Sequence, residues 1–116
     1  MENKKEEKDN IKNRISEIDN NLDDSHKKMK EINEMHEELT ALSKNINRCI
    51  ELLTISIKGP NVERRLNDLL VRNQKSYSRF SSVLDEEMIL TNREINKLNE
   101  ERDNLIEQDK QRRKEE

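Results

Sequence analysis

The chain has 116 residues, of which 42% are charged and 29% apolar, and 23 basic residues nearly balance 26 acidic ones for a net charge of −3. Soluble domains average about 25% charged and about 45–50% apolar residues, so a globule around one large core is excluded and the spacing of the apolar residues must decide between helix and disorder. Without clustered Lys and Arg there is no electrostatic footprint for nucleic acid, and no apolar run approaches the ~18 residues of a membrane span.

Residues 1–10, "MENKKEEKDN", are charged and lack the apolar stretch of a secretory signal. They are expected to fray, and the chain to be cytoplasmic. From Ile11 to Ile57 the apolar residues step by fours and threes. Eleven of fourteen seam positions are apolar, the exceptions being Ser25, His36 and Ser43. The pattern predicts one long amphipathic helix over 11–58 with a coiled-coil seam. The one glycine and the one proline then fall side by side in "KGPN". Gly59 suits the position after a helix end, Pro60 cannot continue that helix, and Asn61 is a good N-cap for the next one. A turn at 59–61 between two long helices makes them antiparallel neighbours.

The second helix is predicted over 62–108, along Val62, Leu66, Leu69, Asn73, Tyr77, Phe80, Leu84, Met88, Thr91, Ile95, Leu98, Arg102 and Leu105. Its steps average about 3.6 residues, so its seam drifts from a strict heptad between Tyr77 and Met88. Residues 109–116 are charged and expected to fray. In a hairpin centred on the turn, facing residues have numbers summing to about 119, the midpoint being the Gly59–Pro60 pair. Leu53 then meets Leu66, Ile50 meets Leu69, Leu39 meets Phe80, Leu22 meets Leu98, and Arg102 stands beside Glu17. An opened turn with swapped helices is the competing arrangement, and Gly59–Pro60 opposes it. The fold class expected is all-α: an antiparallel two-helix hairpin.

Between about residues 35 and 90 the apolar arc is wider than one partner helix covers, and wide arcs belong to bundles. A second copy or another helical protein is therefore expected to complete a four-helix bundle there. The residues expected to supply that surface are Leu42, Cys49, Leu69, Tyr77, Phe80, Val83 and Leu90. Chemistry-bearing patterns are lacking. His26 and His36 are ten residues apart, Cys49 has no second cysteine, and no phosphate loop or nucleophile motif occurs. No catalytic residue, metal ligand or cofactor is expected, and the chain reads as a non-enzymatic protein-binding hairpin.

Two equal helices around a central turn resemble the WXG100-type secretion proteins. "KGPN" lacks their Trp-x-Gly, however, and neither Tyr77 nor Phe80 is followed four residues later by Asp or Glu. Residues 72–113, "RNQKSYSRFSSVLDEEMILTNREINKLNEERDNLIEQDKQRR", more closely resemble the small helical proteins that accompany LXG toxins in type VIIb secretion, of the kind without an export motif. That resemblance implies a targeting factor or chaperone for the toxin's helical N-terminal domain, with a second small helical export factor and co-export as accompaniments. The competing reading is a self-associating coiled-coil structural or tethering subunit with no toxin client.

Overall fold

A computed structural model describes residues 2–115, the Glu2 side chain aside. Two helices make up the chain, α1 (Glu2–Ser56) and α2 (Pro60–Lys114), and there is no strand among the described residues. The pair is the expected helical hairpin. It divides into two compact units, one of Met1–Lys30 with Ile89–Glu116 and one of Glu31–Met88.

In the first unit the expected seam closes. Ile18, fully buried, packs with Leu22 and Leu98, and Ile95 and Leu105 cover that cluster. Ion pairs flank it: Arg14 Nε donates to Glu101 Oε1 at 2.7 Å and Arg102 Nε to Asp19 Oδ1 at 2.7 Å. Arg102 was expected at Glu17, but helical side chains lean toward their own N-terminus. In an antiparallel pair this carries Arg102 toward higher numbers on α1. Glu17 meanwhile accepts from Arg14 Nη1 one turn away, at 2.9 Å.

The helices extend beyond the expected bounds of 11–58 and 62–108, through residues 2–10 and 109–114. Ile11 is buried, and the Asp109 carboxylate holds Arg112 at 2.9 Å and Arg113 at 3.1 Å, one turn further along α2. These pairs at i+3 and i+4 continue the helix where the apolar seam ends. Met1 and Glu116, assigned to the frayed ends, lie outside the described residues.

The turn is as long as expected but lies two residues earlier, at 57–59, and is differently built. The last bond of α1 runs from Ile57 N to Leu53 O at 2.8 Å, and the first of α2 from Glu63 N to Gly59 O at 3.0 Å. Gly59 is thus the N-cap of α2, Pro60 its first helical residue, and Asn61 lies inside the first turn rather than capping it. Proline is at home there because the first helical N–H has no partner to lose and its fixed φ is already helical. Gly59 has φ +155°, a conformation that side-chain-bearing residues rarely adopt.

In the second unit the seam is largely polar. Asn73 Nδ2 donates to Asn47 Oδ1 at 2.7 Å and to the Ser43 carbonyl at 3.1 Å. The hydroxyls of Thr40 and Tyr77 share a hydrogen bond of 3.2 Å, and His36 Nε2 meets Ser81 Oγ at 3.3 Å. Buried apolar side chains are few: Ile32, Ile50 and Leu66. The cross-helix polar partners here sum to between 116, for Ser43 with Asn73, and 121, for His36 with Asp85. The register agrees with expectation, whereas the rotation of the helices does not. Between 73 and 88 the half-buried α2 positions are 73, 77, 81, 84, 87 and 88, opening with two successive steps of four. Such a stutter turns Phe80 out of the seam and Ser81 into it. Leu39 therefore does not bury Phe80. Likewise Ile50 and Leu66 are buried while Leu53 and Leu69, their expected partners, are exposed.

Candidate partner-binding face

Six of the seven residues expected to bind a partner are exposed. Leu42 keeps 57% of its surface in water, Leu69 48% and Phe80 60%, with Val83 and Leu90 similar, and Cys49 is an exposed free thiol. Tyr77 differs: it is half-buried, and its hydroxyl is spent on Thr40 across the seam. It fixes the hairpin rather than a partner. Leu90 belongs to the first unit and the others to the second.

At 100° per residue, Met35, Leu42, Ile46, Cys49 and Leu53 fall on one arc of α1, roughly 60–120° to one side of its seam. Leu69, Phe80 and Val83 fall on an arc of α2 displaced in the same rotational sense by a similar angle. In antiparallel helices the same sense of rotation leads to the same side of the pair. The two arcs consequently share one broad face of the second unit. No charged residue interrupts it from Leu42 to Leu53 on α1 or from Leu69 to Val83 on α2, Arg72 standing at its outer edge. Arg65 and Arg72 flank it toward the turn; Glu31, Glu38 and Glu87 flank it at the other end.

Sequence reasoning assigned Ile46 and Leu53 to the seam, and the structure moves both to this face. The signal lay in their neighbours. Thr40 and Asn47 outcompete apolar residues for the seam because Tyr77 and Asn73 stand opposite with groups to satisfy. Near the turn, on the opposite side, Ile50, Thr54, Ile55, Leu66 and Leu70 line an open groove of about 590 Å³.

Polar groups are paired without forming a reactive constellation. Among the described residues no group of three or more His, Cys, Asp or Glu is placed to hold a metal ion. No described helix is long and apolar enough to cross a membrane. Two carboxylates of the first unit are perturbed. The hydrogen bond from Arg14 holds Glu101 below the ordinary carboxylate range, and that from Arg112 does the same for Asp109. In return, Arg14 is held protonated more firmly than usual, first by Glu101. No protein-family model matches this chain, and no curated protein or solved structure is detectably similar to it.

Proposed function

We propose that this chain is a non-catalytic helix-binding protein whose second unit docks other helices on the face formed by Leu42, Ile46, Cys49, Leu69, Phe80 and Val83. One contrast supports this reading above all. The first unit packs its apolar seam into a closed core, whereas the second leaves most of its large apolar side chains in water. Full burial of such a side chain is worth ~1.5–3 kcal/mol, and about half of that remains unclaimed at each exposed position. Contiguous exposed patches of this kind mark interaction sites. A facing pair of helices would cover both arcs at once and complete a four-helix bundle.

The finer proposal is that the docked helices belong to the N-terminal domain of an LXG toxin, for which this chain serves as targeting factor or chaperone. It is supported by the family resemblance of residues 72–113 and by the fit between a helical client and a two-helix face. The test is co-expression with an LXG toxin, followed by purification on the tagged toxin. A stoichiometric complex that Leu42→Asp with Leu69→Asp dissociates is expected. A toxin that purifies alone, or a complex indifferent to both substitutions, removes the client or the face respectively.

A further inference from the structure

The exposed face is self-complementary. On α1, Met35 and Cys49 lie seven residues either side of Leu42; on α2, Leu69 and Val83 lie seven residues either side of Ser76. The two midpoints stand level in the hairpin: Leu42 and Ser76 sum to 118, inside the span set by Ser43 with Asn73 and His36 with Asp85. Met35, Leu42, Cys49, Leu69, Ser76 and Val83 are exposed. A two-fold axis passing between the midpoints, across both helices, lays the centre of this face on itself, while Ile46, Leu53 and Phe80 fall opposite the second copy's Glu38, Glu31 and Arg72. Leu42 meets the second copy's Leu42, Met35 meets its Cys49, and Leu69 meets its Val83.

Charge selects the sense of packing. Arg65 lies eleven residues before Ser76 and Glu87 eleven residues after it. In the antiparallel sense the end of the face that bears Arg65 and Arg72 in each copy meets the end that bears Glu31 and Glu38 in the other; Glu87, at that same end, is half-buried and engaged within its own chain. Packed turn against turn, the same apolar residues still overlap. The acidic flanks Glu31, Glu38 and Glu87 of both copies then crowd one end, and Arg65 and Arg72 of both crowd the other. Isologous contact is also the commonest way for a soluble chain to cover such a patch. We infer that the occupant of the face is a second copy of this chain, packed antiparallel as a four-helix bundle on an axis at Leu42 and Ser76. This inference rests on the helix-binding reading above and names the partner present when no client is bound.

The experiment uses the full chain and its one cysteine. In the antiparallel dimer the two Cys49 positions are fourteen residues apart along the bundle, roughly 21 Å. That exceeds the ~4.4–6.8 Å between Cα atoms that a disulfide requires. Under diamide the native chain is expected to stay non-covalent, and its exposed Cys49 serves as the collision control. Leu42→Cys and Ser76→Cys, each in a Cys49→Ser background, are expected to form covalent dimers. Arg65→Glu is expected to weaken dimerisation about tenfold, because it puts a negative charge on each copy's basic end where that end meets the other copy's acidic one. Covalent dimers from native Cys49 faster than from Leu42→Cys overturn the register. A chain that light scattering finds monomeric at about 100 µM overturns the second copy as occupant. The face itself fails only if a bound helical client is indifferent to Leu42→Asp with Leu69→Asp, so the two failures are separate.

Discussion

Leu42→Asp combined with Leu69→Asp separates the two roles that an apolar residue plays in a hairpin, holding its own helices together and holding someone else's. With 57% and 48% of their surfaces exposed, the two leucines have given up only about half of their contact with water to the chain itself. Half of the ~1.5–3 kcal/mol for full burial is ~1 kcal/mol each, and the poorer helix propensity of Asp adds up to about 0.5 kcal/mol per site. The isolated hairpin should lose ~3 kcal/mol and stay helical, because Ile18, Leu22 and Leu98 are untouched. Association loses the other half. Two leucines on each of two copies forgo ~4 kcal/mol, about a thousandfold in the dissociation constant, before the cost of desolvating four carboxylates is added. Circular dichroism reads the first effect; light scattering across a dilution series reads the second. Ile55→Asp is the control, since Ile55 is 72% exposed but lies on the opposite side, beside the turn-proximal groove. It should leave association unchanged. Association of the double variant within threefold of the native chain would refute the face. So would collapse of its helicity, which would show that the two leucines hold the hairpin itself.

Three further outcomes follow from the closed parts of the fold. Ile18→Ala, at the one fully buried large side chain, should cost ~3 kcal/mol in urea unfolding, several times what Leu42→Ala costs in the same assay. Gly59→Ala meets no atom within 4 Å of the added Cβ, so any loss reports the φ of +155° alone; ~1–2 kcal/mol is expected by denaturant titration. The depressed carboxylates set an acid limit. A carboxylate lowered in the folded state contributes stability above its unfolded pKa and loses it as pH falls through the folded one. The melting temperature should therefore hold above about pH 5 and fall below about pH 4, with Arg14→Met raising Glu101 back toward the ordinary carboxylate range in a carbon-detected NMR titration.

Much of this architecture was legible in the residues alone. Fours and threes from Ile11 to Ile57 state a helix and a seam, and a lone Gly-Pro pair states where the chain reverses. Together they fix the register to within a few residues, because the heptads of an antiparallel pair are tied together by the turn that joins them. Leu42, Val83 and Leu90 were legible as surplus for the same reason: a two-helix seam has room for one stripe per helix, and these exceed it, whereas Leu69 and Phe80 read as seam residues.

Rotation about the helix axis was decided by tertiary structure. A sequence pattern says which residues share a stripe, but neighbouring stripes differ by little in apolar content between residues 39 and 53. Choosing among them depends on which polar groups find partners across the interface. Asn73 reaching Asn47 and Tyr77 reaching Thr40 settle the choice; these bonds place Tyr77 inside and send Ile46, Leu53 and Phe80 outward. The ends were hidden for a related reason. Residues 109–114 carry no apolar signal, and their helix is bridged by Asp109 drawing in two arginines one turn along. Burial follows composition and period, which a sequence carries openly. The pairing of polar groups depends on distances of about 3 Å, which exist only once the helices have met.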